Sequence, residues 1–144
     1  MSKAIVIYTT RTGNTKKIAE LIGEGVRFSG HEADVVNASE IKNPSSLQGY
    51  DGYIFGAPTY HGEMTKGIKT LLFMAENAGL ENKVGGAFGA FGWSGEAPER
   101  IFNTMKNIFQ MDMVSGPLML KDATLGGGIQ AAQEYGKAVG SRLK

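Results

Sequence analysis

The stretch from residue 5 to residue 22, IVIYTTRTGNTKKIAELI, constrains the fold of this chain more than any other. It opens with a short apolar, β-branched run, which predicts a buried strand. It closes with Ile18, Leu21 and Ile22, whose spacing predicts a helix packed on a sheet. A strand that leads into a helix through a polar loop directs backbone N–H groups and the positive end of the helix dipole at one point. Such a point is an anion site.

The loop between this strand and helix is rich in hydroxyl groups and contains a single glycine. Its residues are Thr9, Thr10, Arg11, Thr12, Gly13, Asn14 and Thr15. One threonine would only indicate a helix cap, but this set exceeds what capping requires and favours a phosphate. The glycine spacings of Walker A and dinucleotide-binding loops are absent. The few cations nearby predict a terminal monophosphate, and Lys16 and Lys17 are expected to face solvent.

Strand-like and helix-like segments alternate along the rest of the chain. Apolar or alternating runs predict strands at 31–36, 53–57, 83–90 and 113–120, and a Gly-Pro pair confines the last to an edge or a bulge. Residues 37–49 are a polar connection with one helical turn. Three amphipathic segments predict helices whose inner faces hold Ile68, Leu71, Leu72 and Ala75, then Ile101, Met105 and Ile108, then Ile129, Ala132, Val139 and Leu143.

This alternation predicts a doubly wound α/β fold, with a five-stranded parallel sheet and helices on both faces. Right-handed crossovers favour the strand order 2-1-3-4-5. Ligands of such sheets bind beyond the carboxyl ends of the strands, between strands 1 and 3. The loops after strands 1, 3 and 4 therefore open on one edge.

The loops after strands 3 and 4 both carry aromatic residues. The first consists of Pro58, Thr59, Tyr60, His61 and Gly62. The second consists of Phe91, Gly92, Trp93, Ser94 and Gly95, and holds the one tryptophan of the chain. A tryptophan in a glycine-rich loop favours a ligand platform over a core position. Two aromatic loops beside a phosphate loop predict a slot for a flat ring with a phosphate tail.

The chain resembles the flavodoxin family, and its match to the N-terminal signature of that family consists of Tyr8, Thr10, Gly13, Thr15, Ala19 and Ile22. The family's loop holds the 5′-phosphate of flavin mononucleotide (FMN). The resemblance covers the whole chain and implies one flavodoxin-like FMN-binding domain over residues 1–144. It also implies that Trp93 covers one face of the flavin ring. Either Tyr60 or His61 covers the other, and the choice between them is open.

The same resemblance implies that backbone amides from Ala90 to Gly95 hold the pyrimidine edge of the flavin. It places the backbone around Gly62 near flavin N5, where a glycine peptide can turn. The segment 92–95 is also similar to the flavodoxin-like domains of A-type flavoproteins. Many flavodoxins are strongly acidic, whereas this chain has a net charge of +1. We therefore expect its reduction potential for the last electron to be less negative than in acidic relatives.

Composition excludes several other classes of function. The 144 residues include no cysteine, which excludes disulfides, thiol redox chemistry and cysteine-ligated clusters. His31 and His61 are too far apart in sequence to indicate a metal site. Charged residues form no block, so nucleic-acid binding is not indicated. No apolar run approaches the roughly 20 residues of a membrane span, and no signal peptide is recognisable, so the sequence predicts a cytoplasmic protein.

The sequence thus favours a low-potential electron carrier that shuttles single electrons between redox partner proteins, as a monomer and without a catalytic constellation of its own. One alternative is an FMN-dependent enzyme of the quinone reductase type. Another is a detached flavodoxin module of a diflavin oxygen reductase, and a non-redox binding module fits least well. Docking is expected at the exposed flavin edge, near Tyr60, Met64 and Trp93.

Overall fold

The computed structural model describes residues 2–9, 13–60, 63–64, 66–90, 96–120 and 127–143. The strands are β1 (Lys3–Tyr8), β2 (Glu32–Asn37), β3 (Gly52–Gly56), β4 (Thr59–Tyr60), β5 (Glu63–Met64), β6 (Val84–Ala90), β7 (Asp112–Met113) and β8 (Leu118–Leu120). The helices are α1 (Asn14–Phe28), α2 (Lys66–Glu76), α3 (Glu96–Asn103) and α4 (Gly128–Arg142). A π-helical turn, Thr104–Ile108, continues α3, and the 3₁₀ turns Ala38–Glu40 and Pro44–Leu47 follow β2.

The main sheet is parallel and has the order β2-β1-β3-β6, with β7 and β8 sharing the fifth position. This is the predicted order 2-1-3-4-5, so the doubly wound α/β fold is confirmed. Strand β1 is buried from Ala4 to Tyr8, and its Val6 lies opposite Val35 on one side and Ile54 on the other. β4 and β5 form a separate antiparallel hairpin that the sequence did not predict.

Each face of the sheet is covered by a different pair of helices. α1 and α4 bury one face, which includes Val6, Ile54 and Phe88. α2 and α3 bury the other face, which includes Ile7 and Phe55. The strict alternation of strands and helices is broken between β2 and β3, which are connected by the two 3₁₀ turns instead of an α-helix.

Two isoleucines that we expected on inner helix faces are exposed, so these two predictions were wrong. Ile108 ends the π-helical turn, which holds more residues per turn than an α-helix and so rotates Ile108 outward while Met105 stays buried. Ile129 is exposed because the buried stripe of α4 runs through Gly128 and Ala132 instead.

Strand β6 has no side chains at Gly85 and Gly86, and neighbouring residues fill the space on both faces. A Cβ atom on Gly85 would lie 2.8 Å from Sδ of Met113, and one on Gly86 would lie 3.0 Å from the ring of Tyr135. The Tyr135 hydroxyl accepts a hydrogen bond from the Ala87 N–H at 3.0 Å. This bond occurs where the fifth strand is interrupted between β7 and β8. A side chain of α4 therefore satisfies an amide that the interrupted strand leaves without a backbone partner.

Candidate functional site

Strands β1, β3 and β6 end side by side at one edge of the sheet. Tyr8 lies opposite Gly56, and Gly56 lies opposite Phe88. Two backbone hydrogen bonds tie the strand ends together, from Thr9 N–H to the carbonyl oxygen of Gly56 (3.1 Å) and from Ala57 N–H to that of Phe88 (3.2 Å). The three loops singled out in the sequence therefore leave the sheet at one edge, as predicted.

The described part of these loops includes eight of the predicted site residues: Thr9, Gly13, Asn14, Thr15, Pro58, Thr59, Tyr60 and Ala90. The other ten lie outside the described residues: Thr10, Arg11, Thr12, His61, Gly62, Phe91, Gly92, Trp93, Ser94 and Gly95. For Thr59, Tyr60 and Ala90 only the backbone is described. The ring contacts expected of Tyr60, His61 and Trp93 therefore stay predictions.

Thr15, in the first turn of α1, carries a buried hydroxyl group that lacks a partner. Its relative exposure is 1%, and Oγ1 has no hydrogen-bond partner within the part of the chain that the structure describes. A buried polar group without a partner costs about 1–3 kcal/mol. A phosphate oxygen would provide the missing hydrogen bond. The donor at the head of this helix thus fits a bound phosphate.

Gly13 is the residue from which α1 begins. Its φ of 88° lies in the left-handed region, which costs other residues about 1–2 kcal/mol. A Cβ atom on Gly13 would meet nothing within 4 Å, so backbone conformation rather than space selects glycine here. Its carbonyl oxygen accepts the hydrogen bond of the Lys17 N–H at 3.2 Å, which starts the helix.

The first turn of α1 contains no acidic residue, so the positive end of its dipole is not neutralised from within the helix. Lys16 and Lys17 are exposed, as the sequence predicted. Both features favour an anion at this position.

The second loop contains the β4–β5 hairpin. Thr59 lies opposite Met64 and Tyr60 lies opposite Glu63, so residues 61 and 62 connect the two strands. Sequence reasoning missed this hairpin because each strand has only two residues, too few for an alternating pattern to be recognised.

Gly89, near the end of β6, lies in close contact with the start of the second loop and with α3. A Cβ atom on Gly89 would lie 2.2 Å from the carbonyl oxygen of Ala57 and 2.6 Å from Cγ of Pro98. The end of β6, the start of the second loop and the first turn of α3 are therefore in contact. This contact holds the start of the second loop close to the first turn of α3.

The described structure also contains a groove away from this edge. A groove of about 290 Å³, lined in part by Lys3 and Asp34, lies where β1 and β2 begin, at the opposite end of the sheet. These two side chains form an ion pair at 3.2 Å.

Within the described residues there is no group of three His, Asp or Glu side chains that could hold a metal ion. Nor is any of the described helices both long enough and apolar enough to span a membrane.

Comparison with known proteins identifies the family. The family model for flavodoxin matches residues 6–136. The putative diflavin flavoprotein A 4 of Synechocystis is 34% identical over 109 residues, which cover 73% of this chain and 18% of that protein. The flavodoxin of Clostridium saccharobutylicum is 36% identical over 87 residues, which cover 60% of this chain and 54% of that protein. A flavodoxin structure from the domain Archaea has a TM-score of 0.91 at 27% identity and covers 97% of both chains.

The chain spans less than one fifth of the diflavin flavoprotein, yet nearly the full length of the archaeal flavodoxin. The family match begins in β1 and ends within α4, so it includes the threonine loop and all the strand ends that form the candidate site. The chain belongs to the flavodoxin family.

Proposed function

We propose that this chain carries single electrons between redox partner proteins through FMN held at the carboxyl edge of its sheet. The observation that carries the proposal is the buried hydroxyl of Thr15, which lacks a partner at the head of α1. Flavin, when bound, supplies the ring that accepts and donates electrons. The protein supplies binding, orientation and the surroundings that set how readily the ring is reduced.

Different segments of the chain would bind the phosphate and the ring of FMN. The threonine loop, residues 9–15, would hold the phosphate through hydroxyl and backbone N–H donors. The segments 58–62 and 90–95 would lie against the ring and its pyrimidine edge. The strand ends below them, at Tyr8, Gly56 and Phe88, are buried. Such an apolar base disfavours additional negative charge on a reduced ring.

Titration with FMN tests the phosphate assignment. Thr15→Val keeps the shape of the side chain but removes the hydroxyl, so we expect Kd for FMN to rise about tenfold to a hundredfold. Thr15→Ser keeps the hydroxyl and serves as the matched control, with a Kd near that of the wild type. Quenching of flavin fluorescence measures both. An unchanged Kd for Thr15→Val would overturn the assignment.

The stability of the flavin-free protein gives a second readout of Thr15. Because its hydroxyl is buried without a partner, Thr15→Val should leave the free energy of unfolding unchanged or raise it. Weaker flavin binding without loss of stability would mark Thr15 as a binding residue. Lower stability in the flavin-free variant would instead indicate a structural role.

A module of a diflavin oxygen reductase is the second candidate, because the diflavin flavoprotein matches 73% of the chain. An enzyme of the quinone reductase type is the third. Steady NADH-to-quinone turnover by the chain alone would favour the enzyme. Stepwise photoreduction that resolves two one-electron stages in visible spectra would support the carrier. The cytoplasmic location and the monomeric state belong to the same proposal, and size-exclusion chromatography tests the latter.

A further inference from the structure

Helix α2 follows the second loop, and a Cβ atom on Gly67 in its first turn would lie 3.0 Å from Cγ2 of Thr9, so this turn lies beside the candidate flavin site. One side of the helix is buried in the core through Ile68, Leu71, Leu72 and Ala75. The opposite side is exposed, and its residues at helical spacing before the C-terminal Glu76 are Lys66, Lys69, Thr70 and Phe73. We call these four residues the α2 face.

The charged residues at the two ends of α2 interact unfavourably with the helix dipole. Lys66 and Lys69 lie in the first turn, which has no acidic residue, and Glu76 ends a helix whose last turn has no basic residue. A cation near a helix N-terminus is disfavoured by about 0.3–1 kcal/mol. The helix dipole therefore does not account for Lys66, which places a positive charge beside the candidate site.

Phe73 adds an apolar group to the same face. Its relative exposure of 71% exceeds that of any other large apolar side chain in the described structure. A single exposed phenylalanine is ordinary on a protein surface, but this one lies only seven residues beyond Lys66, which is about 10 Å along the helix axis. Phe28, also exposed, differs because the Lys137 ammonium lies 5.8 Å from the centroid of its ring.

We propose that the α2 face is the docking surface for an acidic redox protein, with carboxylates of the partner opposite Lys66 and Lys69 and an apolar contact on Phe73. The inference rests on the proposed function, because electrons would pass to a partner at this end of the sheet only if FMN is bound there. Electron-transfer encounters bury less than about 1,200 Å² in total. One helix face and the rim of the site are therefore large enough.

The test uses two electron-accepting proteins of opposite charge, plastocyanin as the acidic probe and cytochrome c as the basic one. FMN-loaded, reduced protein is mixed with each in a stopped-flow instrument over a range of ionic strengths. For plastocyanin we expect the rate constant to fall as salt increases, because salt screens an attraction. The doubly substituted Lys66→Glu, Lys69→Glu protein should lose about tenfold in that rate at low salt and gain rate with cytochrome c.

Phe73→Ser should lower the plastocyanin rate several-fold at every ionic strength, since the contact it removes is apolar. The matched controls are Phe28→Ser and Lys137→Glu, which change the same residue types on α1 and α4. We expect both controls to react like the wild type. Unfolding in urea provides the structural readout, because Lys66→Glu complements the helix dipole and should not lower stability.

The outcomes separate this inference from the function on which it rests. FMN affinity is measured first, and failure to bind FMN would overturn both. If FMN binds but the plastocyanin rate rises with salt, or the α2 face variants react like the two controls, only the docking proposal is overturned. Salt-sensitive plastocyanin rates that the α2 face variants alone reduce would support it.

Discussion

Gly25 of α1 and Gly136 of α4 meet backbone to backbone. A Cβ atom on Gly25 would lie 2.0 Å from the carbonyl oxygen of Gln133, and one on Gly136 would lie 2.0 Å from that of Ile22. The two helices therefore touch through their main chains, which have no flexible side-chain ends that could move aside. The contact fixes the position of α1 on the sheet, and with it the helix start that we assign to phosphate binding.

We expect Gly136→Ala to lower the free energy of unfolding by about 3 kcal/mol or more, because the added methyl group forces the two helices apart. Urea denaturation of the flavin-free protein measures the loss. Gly116→Ala is the control, since a Cβ atom there meets nothing within 4 Å, and it should change stability by less than about 0.5 kcal/mol. A Gly136→Ala protein as stable as the wild type would contradict the backbone contact.

A second prediction concerns Tyr135, whose hydroxyl accepts the hydrogen bond of the Ala87 N–H. Burial raises the pKa of Tyr135, so the hydroxyl stays neutral well above neutral pH. Tyr135→Phe keeps the ring against Gly86 but leaves a buried N–H without a partner, which should cost about 1–3 kcal/mol. Hydrogen exchange at the Ala87 amide should become faster in the variant. Equal protection in both proteins would show that another group satisfies this amide.

The sheet order and the inner faces of α1 and α2 could be predicted because local apolar spacing and right-handed crossovers determine them. Contacts between residues far apart in the sequence could not be predicted in this way. Tyr135 lies 48 residues from Ala87, and no local pattern indicates that a helix side chain replaces part of a strand. Likewise, Ile108 points outward because of a π-helical turn, and a prediction based on α-helical spacing does not include such a turn.

For the candidate site, the sequence predicts residue types but not the contacts between the described residues. The threonine loop and its single glycine already indicated a phosphate. A threonine at position 15 could still have been an ordinary cap, and only burial without a partner distinguishes it. The contact between the start of the second loop and the first turn of α3 involves Gly89, Ala57 and Pro98, which are adjacent only in the folded chain.

A third prediction follows from Tyr50. Its hydroxyl donates a hydrogen bond to Asp34 Oδ2 at 2.9 Å. Burial, together with this hydrogen bond and the negative charge of Asp34, raises the pKa of Tyr50 from 10.0 to about 12. In the unfolded chain the tyrosine releases its proton first as pH rises. The unfolded state then binds fewer protons, so stability falls between pH 10.0 and about 12.

Tyr50→Phe removes this contribution, so its stability should fall less steeply over the same pH window. Urea midpoints measured across the window give the two slopes. The pKa values of Tyr53 and Tyr135 are also raised by burial, but both residues are present in the wild type and the variant, so the difference in slope isolates Tyr50. Parallel slopes would show that Tyr50 ionises as readily in the folded state as in the unfolded state.

The last prediction connects a core contact to flavin binding. Because a Cβ atom on Gly89 would lie 2.2 Å from the Ala57 carbonyl oxygen and 2.6 Å from Pro98, Gly89→Ala must separate the start of the second loop from α3. We expect a loss of about 2–3 kcal/mol in stability. Since the loops predicted to flank the ring would move apart, Kd for FMN should also rise at least about tenfold.

Gly85→Ala is the comparison that separates the two effects. Its Cβ atom would meet the side-chain ends of Met113, Met111 and Met105, which can shift, and it lies four residues before Gly89 in the same strand. It should lower stability less and leave Kd for FMN within about twofold of the wild type. If Gly89→Ala lost stability but bound FMN as tightly as Gly85→Ala does, the Gly89 contact would support the fold without setting the width of the flavin slot.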